Sequence, residues 1–369
     1  MLEKFGNLVQ EAEVPDRLSK IIEMIKPLDE GAMAQARARQ NQLTKPRGSL
    51  GRLEELSVQL AGIQAKPIPQ IRNKAIVTMA GDHGVAAEGI SAYPQEVTAQ
   101  MVYNFLKGGA GINVIARQIG ARIIVVDMGV ASELEASPQL LSRKIALGTR
   151  NIALGPAMTA DEAIKAIGAG IEVVADEVTK GLDIVGTGDM GIGNTTASSA
   201  ICAVMTGESV VEVTGRGTGL ADKQLRHKIE VIERALAVNH LNPEQPLDVL
   251  AKVGGFEIGG LVGVMLAAAA HRIPVVIDGF ISGAAALIAA ALSPVLRDFL
   301  IAAHVSVELG HRLLLKHLGL KPLLDLDMRL GEGTGAAMGI FLSETAASIL
   351  AEMATFTEAG VSEERELNS

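Results

Sequence analysis

The chain is 369 residues long and 48% hydrophobic, which excludes a disordered or fibrous protein and favours one large α/β enzyme with a smaller appendage. It has no Trp, only Tyr93 and Tyr103 as tyrosines, and a formal charge of −9, so neither nucleic acid nor an anionic membrane is an expected partner. A small anionic substrate stays open, because a few local cations suffice to hold one.

The first residues, MLEKFGNLVQEAEV, lack the apolar core of a secretion signal, and the expected compartment is the cytoplasm. Residues 15–66 read as helical. Leu53, Leu56, Leu60 and Ile63 recur at spacings of three and four, which places them on one helix face. Ser49 is the expected cap of that helix, and Pro67 and Pro69 prevent its continuation. From there short apolar runs alternate with helical segments. Residues 75–79, 123–127, 183–186, 210–213 and 274–277 are the expected strands, several ending in Gly or Asp followed by a loop. This alternation predicts a parallel sheet covered by helices, with ligands at the carboxyl ends of the strands. Cys202, the single cysteine, excludes an internal disulfide and a thiolate metal cage, and its apolar run at 200–205 makes it a small buried hydrophobe. The uncharged stretch 279–296 reaches membrane-span length, but Gly279, Gly283, Pro294 and its many alanines suit a buried helix better. From about Glu358 the tail is charged and expected to fray.

The chemistry belongs in the loops. Residues 186–196 (GTGDMGIGNTT) follow an expected strand and open a small-residue helix at 197–205. Glycines before a helix start offer free N–H groups and a favourable dipole to a phosphate. The spacing is neither a P-loop nor a clean G-x-G-x-x-G fingerprint, and a tight turn that needs glycine is the bland alternative. A second glycine loop, 215–222, leads into a helix with the apolar stripe Leu225, Ile229, Ile232 and Leu236. Lys228 borders that stripe, where it either snorkels or reaches into a cleft toward a phosphate. Asp82 and His83, after the first strand, form an acid–base or metal pair on one reading and a stabilised turn on the other. His304, Glu308 and His311 fall at i, i+4 and i+7 of one expected helix face; the spacing permits a metal triad, but no further ligand converges and no metal is expected. No G-x-S-x-G elbow is present. The most informative run is MRLGEGTGAA at 328–337, where Glu332 stands between two glycines that let a ligand approach the backbone from either side. A helix N-cap is its bland alternative.

Taken together, residues 44–51 (TKPRGSLG), 80–85 (AGDHGV), 188–196 (GDMGIGNTT), 252–257 (KVGGFE), 278–280 (DGF) and 328–333 (MRLGEG) resemble the nicotinate-nucleotide–dimethylbenzimidazole phosphoribosyltransferases, which build the lower-ligand nucleotide of cobalamin. The segments stand in family order. The resemblance implies a Rossmann-like α/β core, residues 71–345, a smaller helical domain built from the chain ends, residues 1–70 and 346–369, and a homodimer. It implies transfer of phosphoribose from nicotinate mononucleotide to 5,6-dimethylbenzimidazole or a related base, giving α-ribazole 5′-phosphate and nicotinate, without cofactor or metal. Glu332 would accept the proton of the incoming ring N–H; if it also capped a helix, the dipole would lower its pKa. Asp189, Gly191, Gly193, Asn194, Thr195 and Lys228 would hold ribose and phosphate, joined by Arg329, Gly331 and Gly333. Some relatives carry Glu where this chain has Asp189. The segment 91–101 would form the base pocket through Tyr93, Pro94 and Met101, where the best-known relative has a serine and a glutamine at the positions of Tyr93 and Met101. Two alternatives remain: another nucleotide-dependent α/β enzyme, or a non-catalytic nucleotide-binding module. A dinucleotide-dependent oxidoreductase needs an acid about 20 residues after a glycine fingerprint, and Asp222 is too far from Gly193 for that; Glu332 between its glycines speaks against a binding module.

Overall fold

The computed structural model describes residues 14–362 except position 218; the readings placed on residues 1–13 and 363–369 lie outside them. Three helices open the described chain: α1 (Val14–Met24), α2 (Glu30–Gln40) and α3 (Arg52–Gln64). The helical run expected over 15–66 is thus broken twice, first around Pro27 and then through Pro46, Gly48 and Gly51. Ser49 does not cap α3. Gly51 holds the cap position, and the Glu54 carboxylate in the first turn reaches back to accept the Leu50 N–H at 3.0 Å. Leu56, Leu60 and Ile63 are fully buried on the inward face, as their spacing requires.

The core continues with β1 (Lys74–Gly81), α4 (Val97–Leu106), α5 (Gly111–Ile119), β2 (Arg122–Gly129), β3 (Leu140–Ser142), α6 (Ala160–Thr179) and β4 (Ile184–Met190). Then come α7 (Asn194–Thr206), α8 (Val210–Val213), α9 (Asp222–Asn239), α10 (Pro246–Val253), α11 (Phe256–Ala270), β5 (Val275–Ile277), α12 (Phe280–Leu292) and β6 (Leu300–Ala302). The last elements are β7 (His304–Val305), α13 (Leu309–Leu318), β8 (Leu324–Asp325), α14 (Thr334–Glu352) and α15 (Phe356–Ala359). Strands β1 to β6 make one all-parallel sheet in the order β3-β2-β1-β4-β5-β6, and β7 pairs with β8. The order reverses between β1 and β4, and a crevice for ligands opens there outside the strand ends.

Alternation along β1 builds two cores. Ala75, Val77 and Met79 enter one with α6, α11 and α12, while Ile76 and Ala80 enter the other with α3, α5 and α14. The stretch 279–296 is largely α12, buried along most of its length as expected. By length and composition Thr334–Glu352 would also pass for a membrane span, but its buried face, with Ala336, Ala337 and Ile340, packs into the second core. Cys202 is buried on α7, which pushes its thiol up to about 12. The chain ends meet where Arg39 donates to the Leu350 and Ala351 carbonyls and Leu43 bridges Thr355.

The structure also departs from the sequence expectation at 210–213 and at Glu358. Residues 210–213 are the helical turn α8, not a strand. Ser209 Oγ accepts the Glu212 N–H and the Glu212 carboxylate accepts the Ser209 N–H, a capping box that outweighs the β preference of three valines. Glu358, expected in a frayed tail, is held in α15 by a second such box with Thr355.

Candidate active site

The Glu332 loop lies over the carboxyl ends of β1 and β4. Gly331, Glu332 and Gly333 all take left-handed backbone, at φ 79°, 64° and 96°. Two glycines adopt this freely; Glu332 does so at a cost of about 1–3 kcal/mol, and tertiary bonds hold it there. Thr78 Oγ1 donates to the Glu332 carbonyl at 3.0 Å, and the Glu332 N–H donates to the Asp189 carbonyl at 3.2 Å. The loop presses so closely on β4 that a Cβ on Gly188 would lie 2.3 Å from the Glu332 oxygen.

Glu332 does not cap the helix after it. Gly333 is the N-cap of α14, and Asp278, beyond β5, satisfies the helix start: its Oδ2 accepts the Gly333 N–H at 3.1 Å and its Oδ1 the Ala336 N–H at 2.9 Å. The Glu332 side chain turns instead to the start of α5, where Oε2 accepts the Ile112 N–H at 3.1 Å. Its pKa is raised, not lowered: burial outweighs the Ile112 N–H. Burial likewise pushes the Asp278 carboxyl up to about 7, against the N–H groups of α14 and with the Glu332 charge adding to it.

Asp189 is the penultimate residue of β4, and Gly193 caps α7 at φ 98°. Asp189 Oδ2 accepts from Asn194 Nδ2 at 2.9 Å, while its buried Oδ1 accepts nothing. Burial, with Asp278, Glu257 and Glu332 nearby, raises its pKa well above the usual carboxylate value. Lys228 does not border the buried face of α9. It is fully buried at its centre with Val231, Ile232 and Ala235, and Leu225 and Leu236 are only half-buried. Its Nζ donates to Thr195 Oγ1 at 2.8 Å, and burial pulls the ammonium down to about 8 while Glu308 opposes the fall. Arg329 Nη1 donates to the Gly217 carbonyl at 3.1 Å and so ties the Glu332 loop to the second glycine loop.

These groups surround one cavity of about 480 Å³. Of the expected residues, Tyr93, Met101, Asp189, Gly191, Asn194, Thr195, Arg329, Gly331 and Glu332 form its wall, and Lys228 backs it through Thr195. Pro94, Gly193 and Gly333 stand off the wall: Pro94 lends its carbonyl to the Val97 N–H at the start of α4, and the two glycines cap helices. Val97, Met190, Ile192 and Leu330 make one part of the wall apolar, and Phe280, His304, Ser306 and Glu308 complete another. The motif DGF pointed to Asp278 and Phe280 by position but not by role.

The helix face expected for His304, Glu308 and His311 does not exist. His304 is in β7, Glu308 is the N-cap of α13, and His311 alone lies inside that helix. Among the described residues, no three His, Cys, Asp or Glu side chains are grouped as metal ligands. Asp82 and His83 are also off the wall. Asp82 accepts from Thr98 Oγ1 and the Ala131 N–H, and His83 Nε2 meets Glu257 Oε1 at 2.6 Å, both wholly buried. They brace the glycine loop from behind.

A parallel sheet that opens at its switch point onto a glycine loop, a buried lysine and a strained carboxylate is the frame of an enzyme that handles a sugar phosphate, and a family model described as a phosphoribosyltransferase matches residues 25–361. A protein of Desulforudis audaxviator (strain MP104C) named nicotinate-nucleotide–dimethylbenzimidazole phosphoribosyltransferase is 62% identical over 348 residues, 94% of this chain and 99% of its own. Its namesake in Roseiflexus sp. (strain RS-1) is 61% identical over 345 residues, 94% of this chain and 98% of its own. The crystal structure of CobT from Thermus thermophilus has a TM-score of 0.88 at 50% identity, covering 90% of this chain and all of that one. The chain belongs to the nicotinate-nucleotide–dimethylbenzimidazole phosphoribosyltransferase family.

Proposed function

We propose that this enzyme transfers phosphoribose from nicotinate mononucleotide to 5,6-dimethylbenzimidazole or a related base, yielding α-ribazole 5′-phosphate and nicotinate in the assembly of the cobalamin nucleotide loop. The observation that carries this reading is Glu332: a buried, conformationally strained carboxylate on the wall of a cavity that Arg329 lines, Lys228 backs through Thr195, and Tyr93, Met101 and Leu330 make apolar at one end. The glycine loop at the start of α7, with Asn194, Thr195 and Lys228, holds the phosphate, and Arg329 and Gly331 close over it. Asp189 offers its free oxygen to the ribose. Tyr93, Val97 and Met101 receive the base.

The chemistry is set by the substrates. Nicotinate leaves as the C1′–N bond breaks and its electron pair returns to a cationic pyridinium, so no acid is needed. A base nitrogen attacks C1′ from the opposite face as oxocarbenium character develops, and the anomeric configuration inverts. The proton on the other ring nitrogen then becomes acidic and passes to Glu332. Its raised pKa makes Glu332 a better base near neutral pH than an exposed glutamate.

A homodimer in the cytoplasm belongs to the same reading. Val307, Leu309, Leu326 and Leu330 expose apolar surface on neighbouring segments, which suits self-association. A catalytic core at 71–345 with a small domain from both chain ends is supported by the bonds from Arg39 to the carboxyl end of α14. The test is incubation with nicotinate mononucleotide and a panel of benzimidazoles, purines and phenols. Stoichiometric nicotinate and α-riboside phosphate are expected; no nicotinate with any acceptor would refute the transfer.

A further inference from the structure

Glu308 sits just before α13, at its N-cap and away from any helix face shared with His304 and His311. A built turn carries it. The Ser306 N–H donates to His311 Nδ1 at 2.8 Å, and the Glu308 N–H donates to Ser306 Oγ at 3.3 Å. His311 is a fixed acceptor there, since burial drops its pKa to about 3 and keeps the ring neutral. Glu308 is 7% exposed and lies on the cavity wall. Its Oε2 is shut off from solvent and accepts no hydrogen bond, and the backbone of Gly215 comes so close that a Cβ there would lie 2.0 Å from it. A carboxylate on a cavity wall with one oxygen unpartnered keeps hydrogen-bonding capacity that the protein itself does not use and a bound ligand can take up.

The nucleotide supplies few donors. Its phosphate and nicotinate carboxylate only accept, and the N–H of the incoming base is consumed at Glu332. The 2′- and 3′-hydroxyls of the ribose are what remains. Glu308 is near enough to Lys228 to hold up its pKa, so it stands where the phosphate end meets the ribose, and of those two groups only the ribose hydroxyls can donate to it. We propose that Glu308 accepts a hydrogen bond from one ribose hydroxyl, with Asp189 taking the other, so that the enzyme selects ribonucleotides over their deoxy counterparts. This rests on nicotinate mononucleotide being the phosphoribosyl donor.

The test measures kcat/KM for nicotinate mononucleotide and for its 2′-deoxy and 3′-deoxy analogues with wild type, Glu308→Ala and the nearly isosteric Glu308→Gln. Wild type is expected to disfavour at least one deoxy analogue by roughly ten- to hundred-fold, the loss of a hydrogen bond to a charged group. Glu308→Ala should lower kcat/KM for the parent by a similar factor and leave that analogue nearly unchanged, which abolishes the discrimination. If Glu308→Ala does not fold, Glu308→Gln should narrow the same gap. Equal losses on all three substrates, or a wild type indifferent to both deletions, would overturn the proposal. Failure of wild type to release nicotinate from the parent nucleotide would instead strike the donor assignment beneath it.

Discussion

Lys228→Met probes the phosphate end of the cavity. Lys228 is fully buried under Thr195, so alanine would leave a hole, whereas methionine keeps most of the stem and removes the charge and its donors. Losing a charge-assisted contact to phosphate costs about 1.5–3 kcal/mol, or roughly ten- to 150-fold in kcat/KM for the nucleotide near neutral pH. Stability should move the other way. The fall of the Lys228 ammonium from 10.5 to about 8 corresponds to ~3 kcal/mol against the charged form. The ligand-free variant is therefore expected to melt above wild type at neutral pH. Between those two values the unfolded chain keeps a proton that the folded chain has released, so wild-type stability rises with pH there and the difference in melting closes. Because kcat/KM reports the free enzyme, wild type should lose its advantage as pH rises through about 8. The assay is nicotinate release against nucleotide concentration below, at and above that pH, beside thermal melts of the ligand-free proteins. An unchanged kcat/KM in the variant, or a gap to wild type that does not depend on pH, would refute the phosphate role of Lys228.

Glu332→Gln should keep nucleotide KM near the wild-type value and lose ~10²–10⁴-fold in kcat; near-normal turnover would remove Glu332 as the base. Since the carboxylate must be ionised and burial raises its pKa, wild-type kcat should fall as pH drops through a value above 4.5, and that limb should vanish in the variant. Gly188→Ala would set a Cβ 2.3 Å from the Glu332 carbonyl oxygen and push the strained loop off β4; kcat should drop sharply, and kinetics like wild type would mean the loop yields without harm. Met101→Gln should shift preference among benzimidazoles while nucleotide affinity holds, a pocket change worth ~1–3 kcal/mol. Unmoved preference at both Met101 and Tyr93 would take this segment out of the base pocket.

What the sequence determined by itself is what depends on near neighbours and short periods. Leu56, Leu60 and Ile63 announced a buried helix face, and the apolar runs at 75–79 and 123–127 announced parallel strands because both faces of such a sheet are covered. The glycines around Asp189 and Glu332 were legible for a similar reason: left-handed backbone and close approach admit few other residues. Local rules failed where a second local signal was stronger, as at 210–213, where the pairing of Ser209 with Glu212 made a helical turn of three valines. They also failed at the two-residue strand β7, too short to show a period and hidden inside a false helical spacing from His304 to His311.

The states of the functional groups were decided only by tertiary structure. Glu332 is turned to Ile112, 220 positions away in sequence, and Asp278 caps the α14 helix start that adjacency had suggested for Glu332. Lys228 is an ordinary lysine until Thr195 and the elements packed on α9 shut water away from it. A residue's charge depends on how much water and how many dipoles surround it, and those are brought by segments far apart in the chain. Most of the expected residues that line the cavity were therefore readable in order along the sequence, while their protonation, the strain at Glu332 and the free oxygen of Glu308 came into being with the fold.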